Sequence, residues 1–192
     1  MKVKINDSAE KLLQYVASGL ISNEQFKKLV EKSKPYQPGK DLITLSLLDF
    51  QNFANEQEKG EIYGLFFLLE KLDNEKRPQK AVKKMTAQKF LMWLKYIKVS
   101  LERIDEHFKS IPKVPMSALV EKATKPIFDF GIYAIVDNMA VRHGITDEQA
   151  EQMPLVNAIT KMKIDGERAV IRYRVEKASA KEARIKAKSK KR

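Results

Sequence analysis

After Gly166 the chain runs to Arg192 without a glycine or a proline, and within that run an apolar stripe fades while positive charge accumulates to the last residue. From Pro154 onward Leu155, Ile159, Met162, Ala169, Val170 and Tyr173 recur at the spacing of one helix face. Beyond Glu176 the sequence KASAKEARIKAKSKKR sets only alanines and Ile185 against eight Lys or Arg. The pattern predicts a helix that begins in a core and leaves it as a basic arm. Helical from 154 to 190, it would span roughly 55 Å, more than the diameter of a small domain.

The length of 192 residues permits one ordinary domain with a real core, or two very small ones. A hydrophobic content of 43% with nine Phe, six Tyr and one Trp argues against wholesale disorder. Cysteine is absent, which removes disulfides, thiolate catalysis and Cys-based zinc sites and is compatible with a reducing cytoplasm. The longest apolar run, Ile62 to Leu69, falls far short of the roughly 18 residues of a membrane span. The start MKVKINDSAEKLL lacks the apolar stretch and cleavage site of a signal peptide, so the expectation is a soluble protein that stays in the cell that makes it.

The net charge of +12 is unevenly placed. Residues 161–192 carry thirteen Lys or Arg against four acids, a net of +9, which leaves +3 for the first 160 residues. A second concentration is KRPQKAVKK, from Lys76 to Lys84. The candidate binding residues for nucleic acid or an acidic partner are therefore Lys177, Lys181, Arg184, Lys186, Lys188, Lys190, Lys191 and Arg192 in the arm, and Lys76, Arg77, Lys80, Lys83 and Lys84 in the second cluster. A solvated tail that aids solubility is the competing reading.

Helix punctuation recurs along the whole chain. Asp7 with Glu10 has capping-box spacing before Leu12, Leu13 and Val16, and Gly19 suits a C-terminal cap. Ser22 with Gln25 repeats the signal before Phe26, Leu29 and Val30, so residues 1–34 read as a helical hairpin. KPYQPGKD, from Lys34 to Asp41, reads as a linker. Thr44 or Ser46 starts a helix with Leu47, Leu48, Phe50 and Phe53, and another follows Gly60 with Leu65, Phe66, Leu68, Leu69 and Leu72. Gly64 weakens that second helix by about 1 kcal/mol relative to Ala. Thr86 begins a helix carrying Phe90, Trp93, Leu94, Ile97, Leu101, Ile104 and Phe108, and KRPQKAVKK is expected as an exposed loop before it.

Further on, SALVEKA is a candidate short helix, Ile127 resumes the apolar pattern, and Ile132 to Ala140 form a helix that Gly144 can end. Thr146 with Gln149 starts a helical turn, and Pro154 suits the first turn of the last helix. Strand signal is confined to Met1–Ile5, as an edge or extended arm. The expected architecture is all-α: an irregular multi-helix bundle with a hairpin at 1–34, a main helical domain at 41–175 and a basic arm at 176–192.

Motifs for chemistry are missing. The seven glycines form neither a GxxxxGK nor a GxGxxG loop, and His107 and His143 stand in no ligand spacing. Glu102, Asp105, Glu106 and His107 crowd one helix end, where a solvated face is the simpler reading than a metal site. No carboxylate pair or serine nucleophile motif suggests acid–base or covalent catalysis. The expectation is a protein that is not an enzyme, with no cofactor and no metal. IVDNMAVRHGITDEQAEQM has helix-turn-helix spacing, but Asp147, Glu148 and Glu151 put negative charge where a major-groove helix needs cations and donors, so this stretch reads as a structural corner.

The stretch GIYAIVDNMAVRHGITDEQAEQMPLVNAITKMKIDGERAVIRYR, with a helix, a T-x-E-Q turn, an M-P-L restart and a charged closing helix, resembles C-terminal regions of small helical assembly and structural proteins of tailed bacteriophages. SGLISNEQFKKLVEK is similar in style to N-terminal segments of such proteins. These families include tail-assembly chaperones and the neck or ring proteins between portal and tail. The resemblance carries no catalytic motif and transfers no residue role. It implies a multimeric, non-enzymatic part in building or joining a virion, with other virion or assembly proteins as partners, no membrane, and a place in the host cytoplasm during assembly or in the virion itself. In that setting Met92, Trp93 or Tyr173 would supply contacts if they lie outside the core. The alternatives are a nucleic-acid-binding protein that uses the basic arm without sequence specificity, and a small enzyme or regulator whose site the sequence does not display.

Overall fold

The computed structural model describes residues 7–116 and 131–189, with side-chain environments through 187. Among them are nine α-helices, a 3-10 turn at Leu42–Thr44 and no strand, the all-α class expected from the sequence, with an isolated bridge between Ser8 and Thr86. The arm or edge expected at Met1–Ile5, the SALVEKA helix and Ile127 lie outside the described residues, as do Lys190, Lys191 and Arg192. Residues 1–105 and 106–192 form two compact units.

The first unit holds α1 (Ala9–Ala17), α2 (Asn23–Lys32), α3 (Leu47–Lys59), α4 (Glu61–Asp73), α5 (Pro78–Lys84) and most of α6 (Ala87–Lys109). Side-chain caps start several of them. Ser22 and Gln25 exchange both bonds of a capping box, and Ser46 and Thr86 accept from Asp49 N–H and Lys89 N–H. The cap of α1 is Ser8, which accepts from Lys11 N–H, and not Asp7; the Asp7 carboxylate pairs instead with Lys11 Nζ at 3.1 Å, which raises the lysine's pKa. Gly64 allows α3 and α4 to approach, since a Cβ there would meet Phe53 Cε2 at 3.2 Å.

The core of this unit centres on α6. Trp93, Phe90, Phe53, Leu12, Leu42, Leu47, Leu65 and Leu68 are fully buried. Trp93 is stacked on Tyr36 at 4.4 Å and meets Tyr96 edge-on at 5.6 Å. The segment 34–41 is coil, as its prolines dictate, but it is pinned. Tyr36 N–H donates to the Met92 carbonyl, and its hydroxyl donates to Asp73. Asp41 accepts from the Tyr96 hydroxyl and pairs with Arg103, while the Tyr96 oxygen accepts from Leu42 N–H at 2.7 Å.

KRPQKAVKK is not a loop. Residues Pro78–Lys84 form α5, with Pro78 at the helix start, where its fixed φ is suited and its missing N–H is no loss. Pro78 and Val82 are buried on one side, which gives this short helix the tertiary anchor that its own length cannot supply.

The second unit contains α7 (Ile132–His143), α8 (Asp147–Glu151) and α9 (Leu155–Ser189). Gly144, at φ +62°, ends α7 in the left-handed region and turns the chain into a capping box formed by Thr146 and Gln149. Val136, Met139, Ala140, Ala150, Leu155, Ala158 and Ile159 are buried. Pro154 sits just before the last helix and not in its first turn; its carbonyl accepts from Asn157 and Ala158. At Gly166 a Cβ would come within 2.6 Å of the Pro112 carbonyl oxygen, so another stretch of backbone lies directly on α9 there.

Two expectations test these contacts. Gly166→Ala gains about 1 kcal/mol of helix propensity, yet forces backbone apart at a typical cost of roughly 1–3 kcal/mol, so urea denaturation should show net destabilisation. Burial pushes the Tyr96 hydroxyl up to about 12. Its folded value exceeds the unfolded value near 10, so the stability it contributes is complete below pH 10 and is lost as pH rises towards 12. Tyr96→Phe should flatten that alkaline loss and lower stability at neutral pH by about 1–2 kcal/mol by orphaning Leu42 N–H.

Candidate docking interface

The rotational setting of α9 is fixed at its start, where Leu155, Ala158 and Ile159 are buried. Following the same side of the helix, Leu155, Ile159, Met162, Gly166, Val170 and Tyr173 form one row, buried or half-buried throughout. Continued with the same spacing, that row becomes Lys177, Lys181, Arg184 and Lys188. Positions 155, 166, 177 and 188 are eleven apart, as are 159, 170 and 181, and 162, 173 and 184. Eleven residues make three turns at 3.67 per turn, close to the helix's own period, so the row stays nearly straight. The face that enters the core over 155–173 is therefore the face that turns cationic from 177.

The change is abrupt. Tyr173 is half-buried, and every described side chain from Arg174 to Ala187 is exposed. At the junction Lys177 Nζ lies over the Tyr173 ring, 5.7 Å from its centre. From 177 to 188 the row rises about 16 Å. Of the predicted arm residues, Lys177, Lys181 and Arg184 share this face, while Lys186 stands on the opposite side of the helix. Lys188 occupies the next position of the row, but its side chain, like the residues 190–192, is outside the described ones.

Where α9 is still partly covered, its Asp165 is met by opposite charge. Asp165 lies 3.6–3.7 Å from Arg142, His143 and Arg168, which ties the basic end of α7 to α9. Lys163 Nζ is 3.4 Å from His107 Nδ1.

The second predicted cluster is in the first unit. Lys80, Lys83 and Lys84 lie on the side of α5 opposite Pro78 and Val82, and Lys76 and Arg77 precede the helix; all five are exposed. Exposure is thus as expected, on a helix in place of a loop.

Other candidates carry less chemistry. The helix-turn-helix stretch gives α8 only five residues, and its acids serve its own N-terminus: the backbone N–H of Glu148 and the Thr146 hydroxyl hold the Glu148 carboxyl below its ordinary range. Among the described residues no group of His, Asp and Glu is arranged to hold a metal ion. A groove of about 850 Å3 in the first unit is lined by Phe26, Val30, Phe53, Leu94, Ile97 and Leu101, with Lys98 and Glu31 paired at 3.2 Å, and its lining holds no Ser, Thr or His. Trp93, considered as a surface contact, is fully buried, and Met92 and Tyr173 are half-buried. The exposed apolar residues that sequence reasoning did not single out are elsewhere, among them Tyr133 and Val141 on α7 and Ile164, Ile171 and Val175 on α9.

Fold and surface together define an all-α protein with a solvent-exposed cationic helix, and no described helix is long and apolar enough to cross a membrane. No protein-family model, no curated protein and no solved structure matches this chain.

Since Lys177, Lys181 and Arg184 are exposed and, among the described residues, Lys177 meets Tyr173, Lys177→Gln with Arg184→Gln is expected to leave unfolding free energy within about 0.5 kcal/mol of wild type in urea titration.

Proposed function

We propose that this chain is a non-enzymatic structural or assembly component of a tailed-bacteriophage particle, of the neck, ring or tail region, which works in a multimer and docks its basic helix on a polyanionic surface of a partner protein or of packaged DNA. The observation that carries the docking role is the change of chemistry along one face of α9, from Leu155, Ile159 and Tyr173 to Lys177, Lys181 and Arg184. A helix exposed on all sides and rich in one charge has no packing of its own to hold it, and it gains order from a counter-surface. The phage setting rests on the resemblance of residues 131–174 and on the lack of any chemical motif.

A second reading, a non-specific nucleic-acid-binding protein, is favoured by the straight row itself: the cations Lys177, Lys181 and Arg184 along about 10 Å of one line suit a phosphate backbone and read no bases.

Fluorescence anisotropy separates these from a bland solubility tail. The full chain should bind duplex DNA or polyglutamate at 50 mM salt. If the four positions of the row each displace one counterion from duplex DNA, affinity falls about a hundredfold between 50 and 200 mM salt. Deletion of 176–192 should abolish the binding. In lysates of the source phage the chain should sediment with particles or assembly intermediates; a chain that binds neither polyanion and sediments alone would sink the proposal.

A further inference from the structure

A second row on α9 is apolar and exposed. Ile164, Ile171, Val175 and Ile185 are 48–59% exposed, and Ala178 is exposed between them. With Arg168 and Glu182 they form an unbroken seam, 164, 168, 171, 175, 178, 182 and 185, stepping by four and three as a two-helix heptad does. The seam lies roughly 140° around the helix from the buried face, so nothing that seats Leu155 and Ile159 covers it. It is about 32 Å long and drifts about 20° per heptad, the drift a left-handed pair takes up.

The two charged positions in the seam identify the occupant. Arg168 and Glu182 are opposite in sign, and each stands seven residues from Val175. We infer that the seam pairs antiparallel with the same seam of a second copy of this chain, with the two-fold axis near Val175. A parallel pair would set Arg168 against Arg168 and Glu182 against Glu182. The antiparallel pair sets each Arg168 against the second copy's Glu182, on both sides of the axis. On the flank it also brings Glu167 towards the second copy's Lys181, and its one like-charge meeting is Arg174 with its own counterpart beside the axis. Arg168, 3.6 Å from Asp165 within its own chain, keeps a side chain 70% exposed and so remains accessible. Of the cationic row, Lys181 stands on the flank of the pair, while Lys177 and Arg184 lie to another side and stay open. This inference rests on the multimeric part of the proposed function and names the partner of its closing helix.

The experiment is light scattering of the full chain at micromolar concentration with a charge-swap cycle. The wild type should be a dimer. R168E and E182R should each weaken it about tenfold or more, and R168E/E182R should restore it, because the swap preserves opposite charges only in the antiparallel pair. The chain has no native cysteine, so V175C should cross-link to itself on oxidation while I164C should not. A monomeric wild type, a double variant no better than the singles, self-cross-linking by I164C, or a dimer that survives Val175→Asp would each overturn the pairing. A monomer that still binds DNA with steep salt dependence would remove the pairing and leave the docking role; a dimer that binds no polyanion would do the reverse.

Discussion

Burying Leu155 and Ile159 sets the rotation of α9, and everything the surface of this protein offers depends on that setting. A helix has a rigid period, so the direction of every later side chain is determined once two early ones are seated. The core face of 155–173 therefore aims both the cationic row that begins at Lys177 and the apolar seam at 164–185. The two surfaces share one backbone and separate by angle alone. Electrostatics then adds to geometry: Lys and Arg towards the C-terminal end of a helix lie at the negative pole of its dipole, so the charges that make the arm basic also support its helicity.

The first unit depends on a different interaction. Trp93 brings together Tyr36 and Tyr96, and through them the proline-bounded coil is fastened to α6, by Tyr36 N–H to the Met92 carbonyl and by Tyr96 to Leu42 and Asp41, and to α4, by the Tyr36 hydroxyl to Asp73. The coil stays free of helix because Pro35 and Pro38 forbid it, and it stays in place because an aromatic pair holds it. Among the described residues the Trp93 indole nitrogen finds no acceptor, and what this residue contributes here is area and ring geometry.

Much of this was legible in the residues themselves. The caps at Ser22, Ser46, Thr86 and Thr146 and the stops at Gly19 and Gly144 follow from short-range chemistry that needs no tertiary partner. The helix at Pro78–Lys84 was hidden because seven residues give too little period, and its anchor, Pro78 with Val82, exists only once the unit has packed. The fastening of Tyr36 was hidden for a similar reason, since its ring partner is 57 positions away. On α9 the buried stripe and the basic tail were visible, but the exposed seam was not. Two apolar rows on different sides of one helix blur each other's periodicity, and only the burial of one of them reveals the other.

Gly166 gives this arrangement a mechanical side. The bare backbone there lies against the Pro112 carbonyl, and the helix continues for another 23 residues to Ser189. Beyond Tyr173, the last half-buried position of the row, 16 residues remain to Ser189, so a sideways load on the far end acts over a lever of about 24 Å. Such a load bears on the covered stretch from Gly166 to Tyr173, so the residue that concedes helix propensity for its contact with Pro112 also lies where strain from the tip enters the unit.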